Sequence, residues 1–315
     1  MKNTALIFPG QGSQFIGMGK ELAEAFPIAK DTLQEVDETL GFHLSKLMFS
    51  GDLEDLTLTV NAQPAIMAVS IAAMRVLCHQ LNVDNGAAIA SLAAGHSLGE
   101  YSALCASSAL SLSQTTRLLK IRGESMQDAV PFGQGAMLAL LNAEEEAATG
   151  LAKAASAKGI CEVANDNGAG QFVLSGSVEA IDYALEIHKD YGIKRAIKLN
   201  VSAPFHSSMM KKAADKMEQA LQEQEVSSLS LPIIANFTAK INNDSESVKQ
   251  LLVQQVCGKV RWRESMDHMW ESGINTFIEV GPGKVLTTLA KRMYADCIVY
   301  NIHSPAELDS YCNSI

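Results

Sequence analysis

The sequence predicts an α/β protein, in which a parallel sheet carries helices on its faces and a smaller α+β unit interrupts the chain. Three observations support this. Short apolar runs alternate with helical segments on both sides of the middle of the chain, the pattern of strands joined by crossover helices. One run, at residues 87–94, leads into Gly95-His96-Ser97-Leu98-Gly99 and then a stretch of small helix-compatible residues. That strand–turn–helix order displays a reactive serine at a sheet edge. Between about residues 136 and 201 the order becomes strand-helix-strand-strand-helix-strand, the ferredoxin-like arrangement, which reads as an insertion.

Residues 4–8 form a buried apolar strand that stops at Pro9-Gly10-Gln11-Gly12-Ser13-Gln14. This glycine-rich turn is either a plain loop or a loop whose backbone closes on a ligand. It is not a dinucleotide fingerprint, because Phe15 stands where the third glycine is needed. Residues 17–39 read as one helix with Leu22, Phe26, Ala29, Leu33 and Val36 on one face. Residues 52–60 read as a polar connection. Gln63-Pro64 opens a long helix, with proline in its first turn. A helix at 113–127 and a linker at 128–135 follow. The inserted unit has strands at 136–141, 161–165, 171–175 and 196–201, with helices at 143–157 and 178–191. Beyond Pro204, helices at 209–223, 248–256 and 266–271 alternate with strands at 233–236 and 276–280. Gly283-Lys284 is not a phosphate loop, since Ile278 and Val285 occupy positions that need glycine and Ser or Thr.

The 315 residues can bury a large core, in one big domain or two. A net charge of −10 disfavours a general nucleic-acid or anionic-membrane surface, so an anionic ligand would need a local cationic site. The six cysteines form no Cys-x-x-Cys pair and no zinc-like cluster, and read as buried thiols of a reducing compartment. The N-terminal apolar run is too short for a secretory core. The longest apolar helix candidate, residues 65–77, contains Arg75 and falls short of a membrane span. A cytoplasmic protein is expected.

Ser97 is the candidate nucleophile, the alternative being a serine in an ordinary turn. Glycines on either side let strand and helix approach, and the free N–H groups of the following helix face any oxyanion formed there. Among seven histidines, His206 follows a strand and precedes a helix, a sheet-edge position where sites gather. It is the candidate base, or else an exposed loop histidine. Asp166, Asp182 and Asp190 lie between Ser97 and His206 but in the inserted unit, so none makes a convincing triad acid. A backbone carbonyl could orient the imidazole instead. Arg122 lies in an apolar helical stretch and would need a partner if buried; it is either a substrate-binding group or half of an internal salt bridge.

Phe8-Pro9-Gly10-Gln11-Gly12-Ser13-Gln14, Gln63-Pro64-Ala65, Gly95-His96-Ser97-Leu98-Gly99-Glu100, Arg122-Gly123, Phe205-His206-Ser207 and Glu279-Val280-Gly281-Pro282-Gly283 occur in this order over nearly the whole chain. Together they resemble the malonyl-CoA:acyl carrier protein transacylases of bacterial fatty acid synthesis. The resemblance implies an α/β-hydrolase-like parallel-sheet domain (residues 1–130 and 204–315) with an inserted ferredoxin-like subdomain (residues 131–203). It implies an S-malonyltransferase that moves a malonyl group from malonyl-CoA to the phosphopantetheine thiol of acyl carrier protein through a malonyl-serine intermediate.

By position, the resemblance makes Ser97 the nucleophile and His206 the base. Gln11 and Leu98 would supply oxyanion-hole N–H groups, Arg122 would grip the malonyl carboxylate, and the main-chain carbonyl of Gln255 would orient the histidine. Phe205 resembles the malonyl-preferring form of its motif. Lys259 departs from the family, which usually has proline there, and this puts the path of the loop after Gln255 in question. No metal or redox cofactor is implied, and a monomer is expected. Acyl carrier protein is acidic, so Lys189, Lys194, Arg195 and Lys198, or Lys291 and Arg292, are candidates for its docking. Other readings are a freestanding polyketide acyltransferase, a serine hydrolase or thioesterase, and a non-catalytic binding module.

Overall fold

The computed structural model describes residues 3–201 and 203–315. Among these, eleven strands form two sheets: β1 (Thr4–Phe8), β2 (Leu92–Gly95), β3 (Gly135–Leu141), β4 (Cys161–Gly168), β5 (Gln171–Ser177), β6 (Arg195–Lys198), β7 (Ile233–Ala235), β8 (Lys240–Asn242), β9 (Val260–Arg261), β10 (Thr276–Val280) and β11 (Ile298–Ile302). The larger sheet runs β11-β10-β1-β2-β7-β8. Its neighbours pair parallel except β7 with β8. The smaller sheet runs β6-β3-β5-β4-β9, and its first four strands have the ferredoxin-like order. The α/β fold with a parallel sheet and an α+β insertion is the one expected from the sequence.

β1 shows why the larger sheet reads as unbroken apolar runs. Leu6 and Phe8 pack on one face with the helix Thr59–Leu81, while Ala5 and Ile7 pack on the other with Met266, Met269 and Leu286. Both faces are covered, so no polar alternation is needed. The insertion differs. On β3, Ala136, Leu138 and Leu140 pack against the helices Glu145–Ala155 and Val178–Ile187. The alternate residues Met137, Ala139 and Leu141 line a cavity shared with the larger unit. The period of two thus gives one strand a core face and a site face.

Several elements differ from expectation. Residues 17–39 are two helices, Lys20–Ala25 and Pro27–Leu40. Pro27 forces Phe26 into an extended conformation (φ −130°, ψ 116°) and so ends the first helix. Residues 52–60 contain a short helix, Leu53–Thr57, and the start of the next. Pro64 is not in a first turn but inside the helix Thr59–Leu81, where it removes the bond to the Val60 carbonyl. At that turn the helix Leu112–Asp128 passes so close that a Cβ on Gly123 would lie 2.7 Å from Val60 Cα. The helix Thr59–Leu81 is long and apolar enough to cross a membrane by length and composition, contrary to the span judged from 65–77, but 72% of its most apolar window is buried in the core. β8, β9, β11 and the helices Leu44–Ser50, Val285–Met293 and Pro305–Cys312 were not anticipated.

Candidate active site

β1 and β2 lie side by side, with Phe8 opposite Gly95, so the loop from Pro9 and the turn from Gly95 leave the sheet at the same edge. Ser97 sits on that turn as the N-cap of the helix Leu98–Ala106, with φ 53° and ψ −109°. This conformation is strained for a residue with a side chain. A Cβ on Gly99 would lie 2.3 Å from the Phe8 carbonyl oxygen, so the turn closes only with glycine there. Two amides hold the strained peptide. Asn236 Oδ1 accepts from Ser97 N at 2.7 Å, and Gln255 Nε2 donates to Ser97 O at 3.0 Å. Asn236 also donates to the Gly95 carbonyl at 2.7 Å.

His206 meets this turn from the far side. Its Nε2 is 2.7 Å from Ser97 Oγ, and its Nδ1 is 2.8 Å from the main-chain oxygen of Gln255. A carbonyl can only accept, so Nδ1 carries the proton and Nε2 offers its lone pair to the serine hydroxyl. His206 is itself held at φ 57°. Burial, reinforced by the nearby Arg122 charge, lowers its pKa to about 3, so the imidazole rests neutral. Among the described residues no carboxylate hydrogen-bonds to His206. Asp166 is engaged by Arg263 and Asp182 by Lys198, so neither serves as a triad acid.

Arg122 is buried beside the pair. Nη1 donates to Gln63 Oε1 at 2.8 Å, while Nη2 donates to Gln255 Oε1 at 2.9 Å and to Ser97 Oγ at 3.0 Å. Its Nε has no hydrogen-bond partner among the described residues. The internal salt bridge that the sequence left open does not form: among the described residues no carboxylate lies at ion-pair distance from Arg122. Burial lowers its pKa, but a guanidinium starts so high that it stays charged.

A cavity of about 390 Å³ joins these groups. Gln11, Leu98 and Phe205 line it alongside Ser97, Arg122 and His206, and Asn165, Asn167 and Val173 of the smaller sheet face them. Among the described residues, the main-chain N–H groups of Gln11 and Leu98 donate to no protein acceptor. For Leu98 this follows from its place in the first turn of a helix. The Gln11 side chain is tied back by Thr59 Oγ1 at 3.1 Å. His96 turns away from Ser97 to meet Asn167 Oδ1 at 2.8 Å and packs against Trp262.

Residues 5–307 match the family model described as an acyl transferase domain. The chain is 44% identical over 294 residues to the malonyl CoA-acyl carrier protein transacylase of Bacillus subtilis (strain 168), covering 93% of this chain and 91% of that one. The chain belongs to the malonyl CoA-acyl carrier protein transacylase family. Its fold is similar to that of the acyl-carrier-protein S-malonyltransferase from Bartonella henselae, with a TM-score of 0.96, 46% identity and 99% of both chains covered. It is also similar to a malonyl-transacylase solved in complex with a type II PKS acyl-carrier protein, with a TM-score of 0.94, 37% identity, and 99% of this chain and 100% of that one covered. The family resemblance read from the motifs is therefore the family found.

Lys259, the departure from the family pattern, points at Glu264 and Glu145, at 3.4 and 3.8 Å. The chain then enters β9, which pairs parallel with β4, and the Gln255 carbonyl stays on His206. The basic residues considered for docking are all exposed; Lys198 pairs with Asp182, and Arg292 donates to the Ala169 carbonyl. Sequence reasoning missed the roles of Gln63, Asn236, Asn167 and the Gln255 side chain. A signal existed for Gln63, a lone amide in a run of buried apolar residues, which must find a partner. Asn236 has no local signal, because its partners are 139 and 141 residues away.

Proposed function

We propose that this chain transfers a malonyl group from malonyl-CoA to the phosphopantetheine thiol of an acyl carrier protein, through an ester on Ser97, in the cytoplasmic synthesis of fatty acids. One observation carries the reading. Arg122 is a buried cation with no ion-pair partner among the described residues, 3.0 Å from the hydroxyl that would carry the acyl group. A buried cation held by two amides and a hydroxyl rather than by a direct carboxylate is costly, and a carboxylate on the acyl group would complete it with charge-assisted hydrogen bonds. The same cation disfavours a hydrolase for neutral acyl groups.

The steps follow from the contacts. His206 Nε2 takes the Ser97 proton as Oγ attacks the thioester carbon. The carbonyl oxygen becomes an oxyanion, and the N–H groups of Gln11 and Leu98 are free to receive it. The tetrahedral intermediate collapses, the C–S bond breaks, and His206 returns the proton to the leaving thiolate. The carrier thiol then gives its proton to His206 and attacks the Ser97 ester. That C–O bond breaks, and Ser97 takes the proton back. Gln255 keeps the imidazole in one tautomer throughout. The reaction needs no metal or redox group, and phosphopantetheine arrives on the partner. In this reading residues 131–203 form the unit that roofs the cavity, and β9 reaches into its sheet from the catalytic part.

The test is intact mass after brief mixing with malonyl-CoA or acetyl-CoA, followed by holo carrier proteins of the fatty acid and polyketide kinds. A malonyl increment on the wild type, absent in Ser97→Ala and discharged by the fatty acid carrier, is expected. Free malonate without an increment would make the chain a hydrolase, and discharge by the polyketide carrier alone would move the pathway.

A further inference from the structure

Glu100 follows the Gly-x-Ser-x-Gly turn in the first turn of the helix Leu98–Ala106, where an acid suits the helix dipole. It is nevertheless buried to 1% exposure, and burying a carboxylate is expensive unless it is well paired. It does not line the cavity, so it does not meet an acyl group there. Its contacts run inward through one oxygen. Oε2 accepts from Gln255 Nε2 at 2.7 Å and from Asn236 N at 3.0 Å.

Those two partners contact Ser97, His206 and Arg122. Asn236 fixes Ser97 N, and Gln255 fixes Ser97 O. The Gln255 side-chain oxygen meets Arg122, and its main-chain oxygen meets His206. An amide has one donating and one accepting end. Glu100 Oε2 meets two N–H donors and so accepts, which draws Nε2 to itself and leaves Oε1 for Arg122; burial raises the Glu100 pKa to about 7, and a proton taken up there sits on the other oxygen, leaving Oε2 an acceptor. The reversed amide would set NH₂ against the guanidinium and an oxygen against the carboxylate.

We propose that Glu100 is a positioning residue for acyl transfer: through Gln255 and Asn236 it fixes Ser97, His206 and Arg122 in one geometry. The reaction assigned to the chain enters only through the choice of assay. What matters is an acceptor oxygen at the position of Oε2, rather than the charge. The charged and titratable groups facing His206 are Arg122 and His96, and neither is altered by substitution at position 100.

The experiment compares wild type, Glu100→Gln, Glu100→Ala and Glu100→Asp in single-turnover malonylation from pH 5 to 8. It is paired with the ¹⁵N-resolved signal of the His206 Nδ1–H. Glu100→Gln keeps an acceptor in place and stays within about threefold of wild type in maximal rate. Its KM does not rise, because the charge competing with malonyl for Arg122 is gone. Glu100→Ala loses about 100-fold in maximal rate, the cost of reacting groups misplaced by about 1 Å, and its His206 signal moves. If Glu100→Ala does not fold, Glu100→Asp, which keeps the charge but withdraws the oxygen, gives the slow rate and moved signal. Wild-type rates and an unmoved signal in Glu100→Ala or Glu100→Asp overturn the proposal, as does a Glu100→Gln enzyme as slow as Glu100→Asp. A wild type that takes no malonyl counts against the functional reading instead, and the His206 signal still decides the role of Glu100.

Discussion

The guanidinium of Arg122 reaches the hydroxyl of Ser97 at 3.0 Å while donating to two glutamines and pairing with no carboxylate among the described residues. Acyl selectivity should therefore rest on Arg122. Removing one partner of a buried, hydrogen-bonded charge pair costs about 2–4 kcal/mol, or roughly 30- to 1000-fold in rate. Arg122→Ala should lose that much in kcat/KM for malonyl-CoA and little for acetyl-CoA. Arg122→Lys should not restore it, because a point charge cannot span Gln63 and Gln255 as a planar fork does. Second-order acylation rates for both thioesters check this; equal losses for the two substrates would remove Arg122 as the selector.

The pH dependence follows from His206. Its folded pKa, about 3, lies below the ordinary value of 6.5, so the neutral base is already present through the whole physiological range. Malonylation of Ser97 should show no acid limb between pH 6 and 7, and should fall only well below pH 5. Part of the depression comes from Arg122. In Arg122→Ala the limb should move upward, toward the ordinary histidine range. A wild-type profile that halves near pH 6.5 would contradict the assignment.

Asn236 should matter for both stability and rate. It is buried and supplies an acceptor to Ser97 N and a donor to Gly95 O. In Asn236→Ala both backbone groups lose their partners, at about 1–3 kcal/mol each. The expected loss is about 2–4 kcal/mol in urea unfolding, with slower acylation as the Ser97 turn relaxes. Asn236→Asp should be worse, because it sets a carboxylate against the Gly95 carbonyl and near Glu100. A wild-type urea midpoint in both variants would show that the strained turn holds itself.

Asp166 of β4 and Arg263 of the helix Trp262–Glu271 pair at 2.8 Å, the carboxylate fully buried and the guanidinium partly exposed. Arg263→Ala leaves the buried charge unpaired. Discounted for the exposed partner, the loss should be about 2–3 kcal/mol. Burial already raises the Asp166 pKa against the pull of Arg263, and losing Arg263 raises it further. The folded variant then binds more protons than its unfolded chain, so its stability falls as pH rises. The deficit should be larger at pH 8 than at pH 5, and Asp166→Asn in the same chain should recover part of it. Urea melts at the two pH values read both effects.

Ser97 is legible in the sequence because a strand, two glycines and a helix surround it within a dozen residues. The insertion is legible because its order, strand-helix-strand-strand-helix-strand, departs from the pattern on either side of it. What is not legible is whatever depends on distant pairing. β9 has two residues and exists only because β4 is beside it. The Leu112–Asp128 helix meets the Thr59–Leu81 helix at Gly123, which no local pattern announces. The apolar run after Pro64 could not show its own start, since Thr59 and Val60, where the helix begins, read as part of the polar connection until Leu112–Asp128 packs against them. The roles expected of Gln11, Leu98, Arg122 and Gln255 came from the motifs as a set, because the contacts of Arg122 and Gln255 lie far along the chain and the Gln11 and Leu98 N–H groups leave no side-chain signal.

The 158 residues separating Ser97 from Gln255 also bear on how the chain is made. A ribosome adding about 5–20 residues per second delivers Gln255 roughly 8–30 s after Ser97. During that interval the serine has been synthesised, but the carbonyl that orients its base has not. Until Gln255 has been added, a nascent chain presents a serine hydroxyl whose histidine neighbour lacks the carbonyl that fixes its tautomer.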